Sequence, residues 1–255
     1  MSNVAPLKPS PSHDAGEWQL RVDLAAAFRL AVHFNWHEAV GNHFSVAVSS
    51  DGRKFLMNPK WRHFSRVTAS SLQLLDTEDA TVMTGPNAPD ETAWCIHGRI
   101  HALAPQARCI LHCHPRNITA IAALADPEIK PIDQNTGRFY NRVAYDLGFE
   151  GMALSDAEGE RLVRVLGNRK TMLMGNHGAL VAAASVAEAF DELYFLERAC
   201  QTLVMAYSTG QKLNVIPHQA ALQTASDWDR YADSAFTHFD EMKRILDAEG
   251  SSYAQ

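Results

Sequence analysis

Apolar residues recur along the chain at two spacings, one typical of helices and the other of strands. Repeats of three and four residues predict amphipathic helices, whereas alternation or a short apolar run between turn residues predicts a strand. On this basis we expect helices over residues 17–39, 70–77, 91–103, 117–124, 155–167, 185–210 and 220–249. We expect strands over residues 43–48, 54–57, 81–83, 109–113, 142–145, 171–174 and 179–183.

The order of these elements predicts the domain organisation. Helices alternate with short strands and no linker separates two cores, so residues 17–215 are predicted to form a single α/β domain. Residues 1–16, which contain three prolines, are predicted to be a flexible tail. Residues 216–255 are predicted to be a C-terminal helical extension.

Composition excludes several classes of protein. Of the 255 residues, 46% are hydrophobic and 20% charged, which excludes a disordered chain. The net charge of −6 argues against nucleic acid and acidic membranes as partners. The sequence has neither the roughly 20-residue apolar stretch of a membrane span nor the apolar centre of a signal peptide at its start, so we expect a cytoplasmic location. Four cysteines fit reduced thiols better than a disulfide framework.

Histidines form the most informative pattern. His112 and His114 lie two apart on a predicted strand, so both project from one face, while Cys113 faces the opposite side. A third imidazole, His177, comes from a turn between two glycines, which allow a tight backbone. Three neutral imidazoles with an open position are typical of a catalytic divalent-metal site. The alternative is that His112 and His114 are partly buried polar residues of an edge strand.

Two further groups have both a functional and a structural interpretation. His97 and His101 lie four apart on one face of a predicted helix and are candidates to orient the metal ligands, although such residues also simply pack against a sheet. Lys60, beside Trp61 in a basic segment, is a candidate to receive a substrate carboxylate, although a solvated basic loop has the same composition.

Six segments form a pattern by their order and spacing. They are GNHFS (41–45), IH (96–97), CILHCHP (109–115), VAY (143–145), MLMGNHGALV (172–181) and VAEAFDELYFLERAC (186–200). From about Arg21 to Gly210, this pattern resembles the class II aldolase and adducin family. The resemblance implies a three-layer α/β/α sandwich with a central, mostly antiparallel sheet. It also implies a divalent metal (Zn²⁺, Mn²⁺ or Fe²⁺) on His112, His114 and His177, and a homotetramer with active sites near subunit boundaries.

The departures from the family pattern bear on the substrate. Where the sugar-phosphate aldolases have their acid/base carboxylate, this chain has Ala93, and Glu91 lies on a different side of an ideal helix. The segments that hold phosphate in those aldolases read Asn58-Pro59-Lys60-Trp61 and Glu91-Thr92 here, so a bulky indole and a carboxylate oppose a phosphate dianion. Four residues are candidate substrate contacts by their place in the family pattern, and the residue that would carry the catalytic proton is left unassigned. These contacts are Asn42, Lys60, Thr92 and Tyr140.

Together these observations predict a metal-dependent lyase that breaks a carbon–carbon bond, by decarboxylation or retro-aldol cleavage. The expected substrate is a small, non-phosphorylated hydroxy, keto or aromatic carboxylate, because the metal would stabilise the enolate-like charge that develops. Two alternatives remain open. One is a non-haem iron oxygenase on the same fold, and the other is a non-catalytic, adducin-like interaction module.

Overall fold

The structure is a computed structural model that describes residues 15–79, 81–148 and 151–255. The tail predicted for residues 1–16 therefore lies outside the described residues, apart from Ala15 and Gly16, which begin the first helix. The helices are α1 Ala15–His33, α2 Glu91–Ala93, α3 Arg99–Leu103, α4 Arg116–Ala122, α5 Gln134–Arg138, α6 Asp156–Leu166, α7 Val186–Ser208, α8 His218–Asp229 and α9 Ser234–Ala248. A π-helical segment, Trp94–Gly98, joins α2 to α3, and short 3₁₀ turns occupy Phe64–Arg66, Ala69–Ser71 and Val82–Thr84.

Seven strands form one sheet in the described part of the chain, in the order β3-β2-β1-β4-β7-β6-β5. Neighbouring strands are antiparallel except for β5 and β6, which are parallel. The predicted mostly antiparallel sheet is thus confirmed. The strands are β1 His43–Ala47, β2 Lys54–Met57, β3 Gln73–Asp76, β4 Cys109–Cys113, β5 Val143–Asp146, β6 Thr171–Met174 and β7 Gly178–Ala183.

Alternate side chains of the central strands enter two hydrophobic cores, one on each face of the sheet. On one face Leu111 and Cys113 pack with α1 and α7, in a core that includes Phe28 and Leu196. On the other face Ile110 packs with residues of the π-helical segment, α3 and α6. Helices therefore cover both faces, which confirms the three-layer α/β/α sandwich, and Cys113 lies in the core as predicted.

The pairing of β1 with β4 sets the position of the functional side chains. His43 and His112 are directly opposite each other in this pairing, and His112 is opposite Leu180 on β7. Residues opposite each other in an antiparallel ladder point to the same face. Two histidines from distant segments therefore meet at one end of the sheet, next to the turn that carries His177.

Four predicted elements were wrong or wrongly bounded. The helix predicted over 70–77 is instead a 3₁₀ turn followed by β3, and the strand predicted over 81–83 is part of a 3₁₀ turn. The first helix ends at His33 rather than at residue 39, because Asn35 adopts a left-handed backbone with φ of 58°. The helix predicted over 220–249 is two helices, α8 and α9, separated by a turn.

Residues 216–255 pack on the sandwich. Phe239, Leu246 and Tyr253 belong to the same core as α1 and α7, and the backbone amide of Ala69 donates to the carbonyl of Tyr253. All four cysteines are buried and free. Among the helices of the described ranges, none combines the length and the hydropathy that a bilayer crossing requires.

Candidate metal centre

Three imidazoles meet at the end of β4. The Nε2 atoms of His112 and His114 are 3.2 Å apart, and the ring of His177 lies 4.8 Å and 4.6 Å, centroid to centroid, from those of His112 and His114. One ligand nitrogen from each of the three lies within 4.8 Å of the others. A tetrahedral ion with metal–nitrogen bonds near 2.05 Å places its ligand nitrogens about 3.3 Å apart. The spacing therefore fits a bound ion after a small adjustment.

Hydrogen bonds on the far side of two rings aim their free nitrogens at this point. The Nδ1 of His112 donates to the carbonyl of Ala179 at 2.9 Å, and the Nδ1 of His114 donates to the Glu38 carboxylate at 2.7 Å. Both Nε2 atoms are then lone-pair bearing and face each other, an arrangement that repels unless a cation or a proton lies between them. Partners of this kind also orient histidine ligands in metal proteins. The donor set thus fits a divalent metal.

Burial keeps the rings of His112 and His177 neutral. Desolvation lowers the pKa of His112 well below its usual value, with further lowering by the neighbouring rings of His43 and His177. The pKa of His177 falls to about 4, mainly through desolvation and then through His114, against opposing effects of Glu38 and Asp146. Metal binding requires the neutral imidazole, so the site needs no proton release from these two residues near neutral pH.

The turn that carries His177 has a tight backbone. Asn176 adopts a left-handed conformation with φ of 53°, and the amide of Gly175 donates to the carbonyl of Asp146. A Cβ atom at Gly178 would lie 2.5 Å from Cδ2 of His114 and 2.7 Å from the carbonyl oxygen of Cys113. Only glycine fits at position 178 while His114 keeps its place. A Cβ atom at Gly175 would lie 3.1 Å from the carbonyl oxygen of Asp146, so the backbone passes close to its neighbours at both glycines of the turn, and most closely at Gly178.

A cavity of about 210 Å³ opens on the three histidines. Of the predicted substrate contacts, Asn42, Lys60 and Thr92 line it. The Nζ of Lys60 lies 3.9 Å from the carboxylate of Asp90 and 5.2 Å from the centroid of Trp61, whose side chain is 65% exposed. The structure therefore brings three predicted contacts together at the cavity but offsets the charge of Lys60 with a carboxylate.

Tyr140 lies elsewhere. It is not part of the cavity lining in the described chain, and its hydroxyl hydrogen-bonds to Nδ1 of His218 at 2.8 Å. The single chain does not bring Tyr140 to the three histidines. Its assignment rested on position in the family pattern alone.

Asp90 is a carboxylate at the cavity that the sequence interpretation missed. Ala93, at the position of the absent acid/base residue, is buried and lines the cavity, whereas Glu91 does not line it. One oxygen of Asp90 caps α2 by accepting from the backbone of Thr92 and Ala93 and from the Thr92 hydroxyl. Burial opposes ionisation of Asp90, but these hydrogen bonds outweigh it and lower its pKa. A helix-capping Asp before residues 91–93 was the signal available in the sequence.

His97 and His101 are completely buried, behind the candidate metal ligands. Neither forms a hydrogen bond to His112, His114 or His177 among the described residues. Both instead bond to Ser45, and His97 also bonds to His43. The ring of His43 in turn stacks on His112 with centroids 4.9 Å apart. The contact of His97 with the candidate ligands is therefore indirect, through His43, which the sequence interpretation quoted in a motif but did not assign to the site.

Residues 22–204 match the class II aldolase and adducin N-terminal domain. The chain belongs to the class II aldolase and adducin family. A Caulobacter vibrioides protein provisionally named an aldolase class 2 protein is 35% identical over 205 residues, covering 80% of this chain and 79% of that protein. The crystal structure of an aldolase II superfamily protein from Pseudomonas syringae superposes with a TM-score of 0.88 at 33% identity, covering 96% of this chain and 98% of that one. Human beta-adducin is 30% identical over 197 residues, 76% of this chain but 27% of adducin.

The predicted family and fold are therefore confirmed. Members of the class II aldolase superfamily are generally metal-dependent lyases, and class II aldolases use a divalent metal. Among the residues that the structure describes, the three-histidine cluster has an arrangement that fits such an ion. The adducin match extends over the same domain, so family membership by itself is compatible with the non-catalytic alternative.

Proposed function

We propose that this chain is a divalent-metal-dependent lyase that breaks a carbon–carbon bond, by decarboxylation or retro-aldol cleavage. His112, His114 and His177 would hold the metal, which we take to be Zn²⁺, Mn²⁺ or Fe²⁺. The observation that carries the proposal is the convergence of these three imidazoles, two of them with a fixed tautomer, on one cavity. When bound, such an ion acts as a Lewis acid and stabilises an enolate-like charge on the substrate.

The cavity lining supports a small, non-phosphorylated carboxylate or carbonyl compound as substrate. Glu38 and Asp90 line the cavity with Lys60, whose charge Asp90 offsets, so these three side chains give no net positive charge for a phosphate dianion. Trp61 lines the cavity in the segment that corresponds to a phosphate-holding segment of the sugar-phosphate aldolases, and a bulky indole at that position disfavours a phosphate group. Apolar side chains complete the lining and suit the body of a keto or aromatic acid; they are Val40, Met57, Ala93, Ile96, Met152 and Ala153.

Decarboxylation suits the residues present better than retro-aldol cleavage does. The bond-breaking step of a decarboxylation needs no proton abstraction, and the cavity has Ala93 where the aldolases have a carboxylate. The lowered pKa of Asp90 keeps it ionised and makes it a weak base, so it suits positioning a substrate hydroxyl better than accepting a proton. Asn42 and Thr92 supply neutral hydrogen-bonding groups to the lining of the same cavity.

A substrate panel on the metal-loaded protein tests the proposal. Purified protein would be stripped of metal, reloaded with Zn²⁺, Mn²⁺ or Fe²⁺, and incubated with hydroxy-aromatic, hydroxy and keto acids while CO₂ and carbonyl products are measured. We expect turnover that requires metal and is lost in His177→Ala. Oxygen uptake with Fe²⁺ would instead indicate the oxygenase. Failure of the wild-type protein to bind any of the three metals would favour the interaction module.

We further propose a homotetramer. Trp61 and Met152, 65% and 73% exposed, are large apolar side chains at the rim of the cavity, a position that suits coverage by a second subunit. Light scattering on the full chain should give about four times the protomer mass, and a monomer would contradict this part of the proposal.

A further inference from the structure

A continuous chain of hydrogen bonds leads from the inner core to the cavity. The Nε2 of His101 bonds to the hydroxyl of Ser45 at 2.7 Å, and that hydroxyl bonds to Nδ1 of His97 at 2.6 Å. The Nε2 of His97 then bonds to Nδ1 of His43 at 2.8 Å. Ser45, His97 and His101 have no exposed surface, and His43 is 6% exposed. With this little solvent contact the four side chains depend on one another for hydrogen bonds, and among the described residues Nδ1 of His101 is left without a partner in hydrogen-bonding geometry.

The ring of His43 is held from two sides. Its Nδ1 is engaged by His97, and its face stacks on His112, with an interplanar angle of 30°. His43 lines the cavity beside Asn42 and His177. No hydrogen bond to its Nε2 is found among the described residues, so this nitrogen is left for a group that enters the cavity.

These hydrogen bonds link the tautomer of His43 to the direction of the Ser45 hydroxyl. A hydroxyl has one proton, so Ser45 donates to one imidazole and accepts from the other. When Ser45 donates to Nδ1 of His97, Nε2 of His97 donates to Nδ1 of His43, and Nε2 of His43 then carries a proton that it can donate to an oxygen in the cavity. A preorganised polar group of this type costs no rearrangement when charge develops on a nearby atom.

We propose that His43 is a substrate-binding residue of this site, contacting a substrate oxygen through Nε2 as a neutral imidazole. In the same proposal, Ser45, His97 and His101 are positioning residues that hold the ring and its tautomer. The inference rests on the proposed function, because it places a metal-bound substrate in the cavity. It adds a substrate contact that none of the predicted substrate residues supplies. This contact comes from a ring that stacks directly on the candidate metal ligand His112.

Binding of a chelating probe tests this without knowledge of the natural substrate. Acetohydroxamate binds divalent metals through two oxygens and resembles a planar enolate. Protein loaded with Co²⁺ would be titrated with acetohydroxamate and followed by its visible absorption, after a separate titration with Co²⁺ alone. His43→Phe keeps an aromatic ring against His112 but removes both nitrogens. His33→Phe, on α1 and outside the cavity lining, is the matched control.

We expect His43→Phe to bind Co²⁺ as wild type does and to bind acetohydroxamate about 10- to 100-fold more weakly, since one hydrogen bond to a charged group is lost. Ser45→Ala should show a smaller loss of probe affinity, because His43 remains but is less restrained. Ser45→Thr, which keeps the hydroxyl, should restore probe affinity. A purely structural role for the chain would change folding stability without this rescue of probe binding.

The outcomes separate this inference from the proposed function. Wild-type protein that takes up no Co²⁺ overturns the metal site and this inference with it. Normal Co²⁺ uptake combined with equal acetohydroxamate affinity in wild type and His43→Phe overturns the role of His43 alone. Normal Co²⁺ uptake without any acetohydroxamate binding by wild type also overturns it, because no ligand then reaches the wall that His43 forms.

Discussion

Replacing Gly178 by Ala is the sharpest test of the metal centre, because the substitution adds one carbon atom at a known distance from a candidate ligand. The new Cβ would lie 2.5 Å from Cδ2 of His114 and 2.7 Å from the carbonyl oxygen of Cys113. Carbon atoms in contact are ordinarily about 3.5 Å apart, so the imidazole has to move by about 1 Å. The carbonyl belongs to β4 and cannot move without disturbing the pairing of β4 with β7.

Two effects should follow from this displacement. Overpacking of this kind costs about 1–3 kcal/mol of folding free energy. Metal–ligand distances tolerate only about 0.2 Å of error, so a ring moved by about 1 Å no longer completes the site as built. We expect the affinity of Gly178→Ala for Zn²⁺ to fall at least about ten-fold, the scale on which misplaced ligands weaken metal sites.

Isothermal titration with Zn²⁺ and urea denaturation measure the two effects separately. Gly137→Ala is the matched control, because its Cβ would lie 2.7 Å from Cγ2 of Thr224, between α5 and α8 and away from the three histidines. It should lose stability but keep its Zn²⁺ affinity. If Gly178→Ala binds Zn²⁺ as tightly as wild type, then His114 is not a ligand and the geometric argument fails.

Two further predictions concern the surroundings of the site. Glu38→Ala should weaken Zn²⁺ binding about ten-fold, because His114 loses the carboxylate that orients it, whereas Glu128→Ala on the surface should not; equal affinities would refute the orienting role. Metal-free protein should lose stability as pH falls from 6.5 toward 5, with a contribution of up to about 1.4 kcal/mol per pH unit from His101. Burial, and then Arg108, lower the folded-state pKa of this residue to about 3, so in that range the unfolded chain binds a proton that the folded chain excludes. Urea denaturation across this range should show a smaller slope in His101→Phe, and an unchanged slope would contradict the prediction.

Strands β4, β6 and β7 could be predicted from sequence because each is a short apolar run between turn residues, and their burial is complete. Strand β3 could not, because the residues 73–76 read QLLD after two serines and alternate only weakly. Their extended conformation comes from pairing with β2, a contact that local sequence does not encode. The break between α8 and α9 lacks proline and glycine and was missed for the same reason.

The residues of the candidate site also divide into those that local sequence reveals and those that only the tertiary structure brings into place. His112, His114 and His177 were identifiable because strand periodicity and a glycine turn are local signals. His43 gains its position only when β1 pairs with β4, and Asp90 lies at the cavity as the N-cap residue of α2. Tyr140 illustrates the opposite case, since a position in a family pattern did not predict its place in a single chain.

The register that sets His43 opposite His112 has a consequence for how this protein can change. As long as β1 and β4 keep this pairing, the two rings stay opposite each other whatever changes elsewhere in the fold. A single residue inserted within β1 would instead turn Phe44 toward the cavity and His43 toward the apolar core, because neighbouring side chains of a strand face opposite ways. Deletions and insertions inside β1 would therefore impair both folding and the candidate site at once. Point substitutions at the rim of the cavity can instead alter the preferred substrate while the fold is kept.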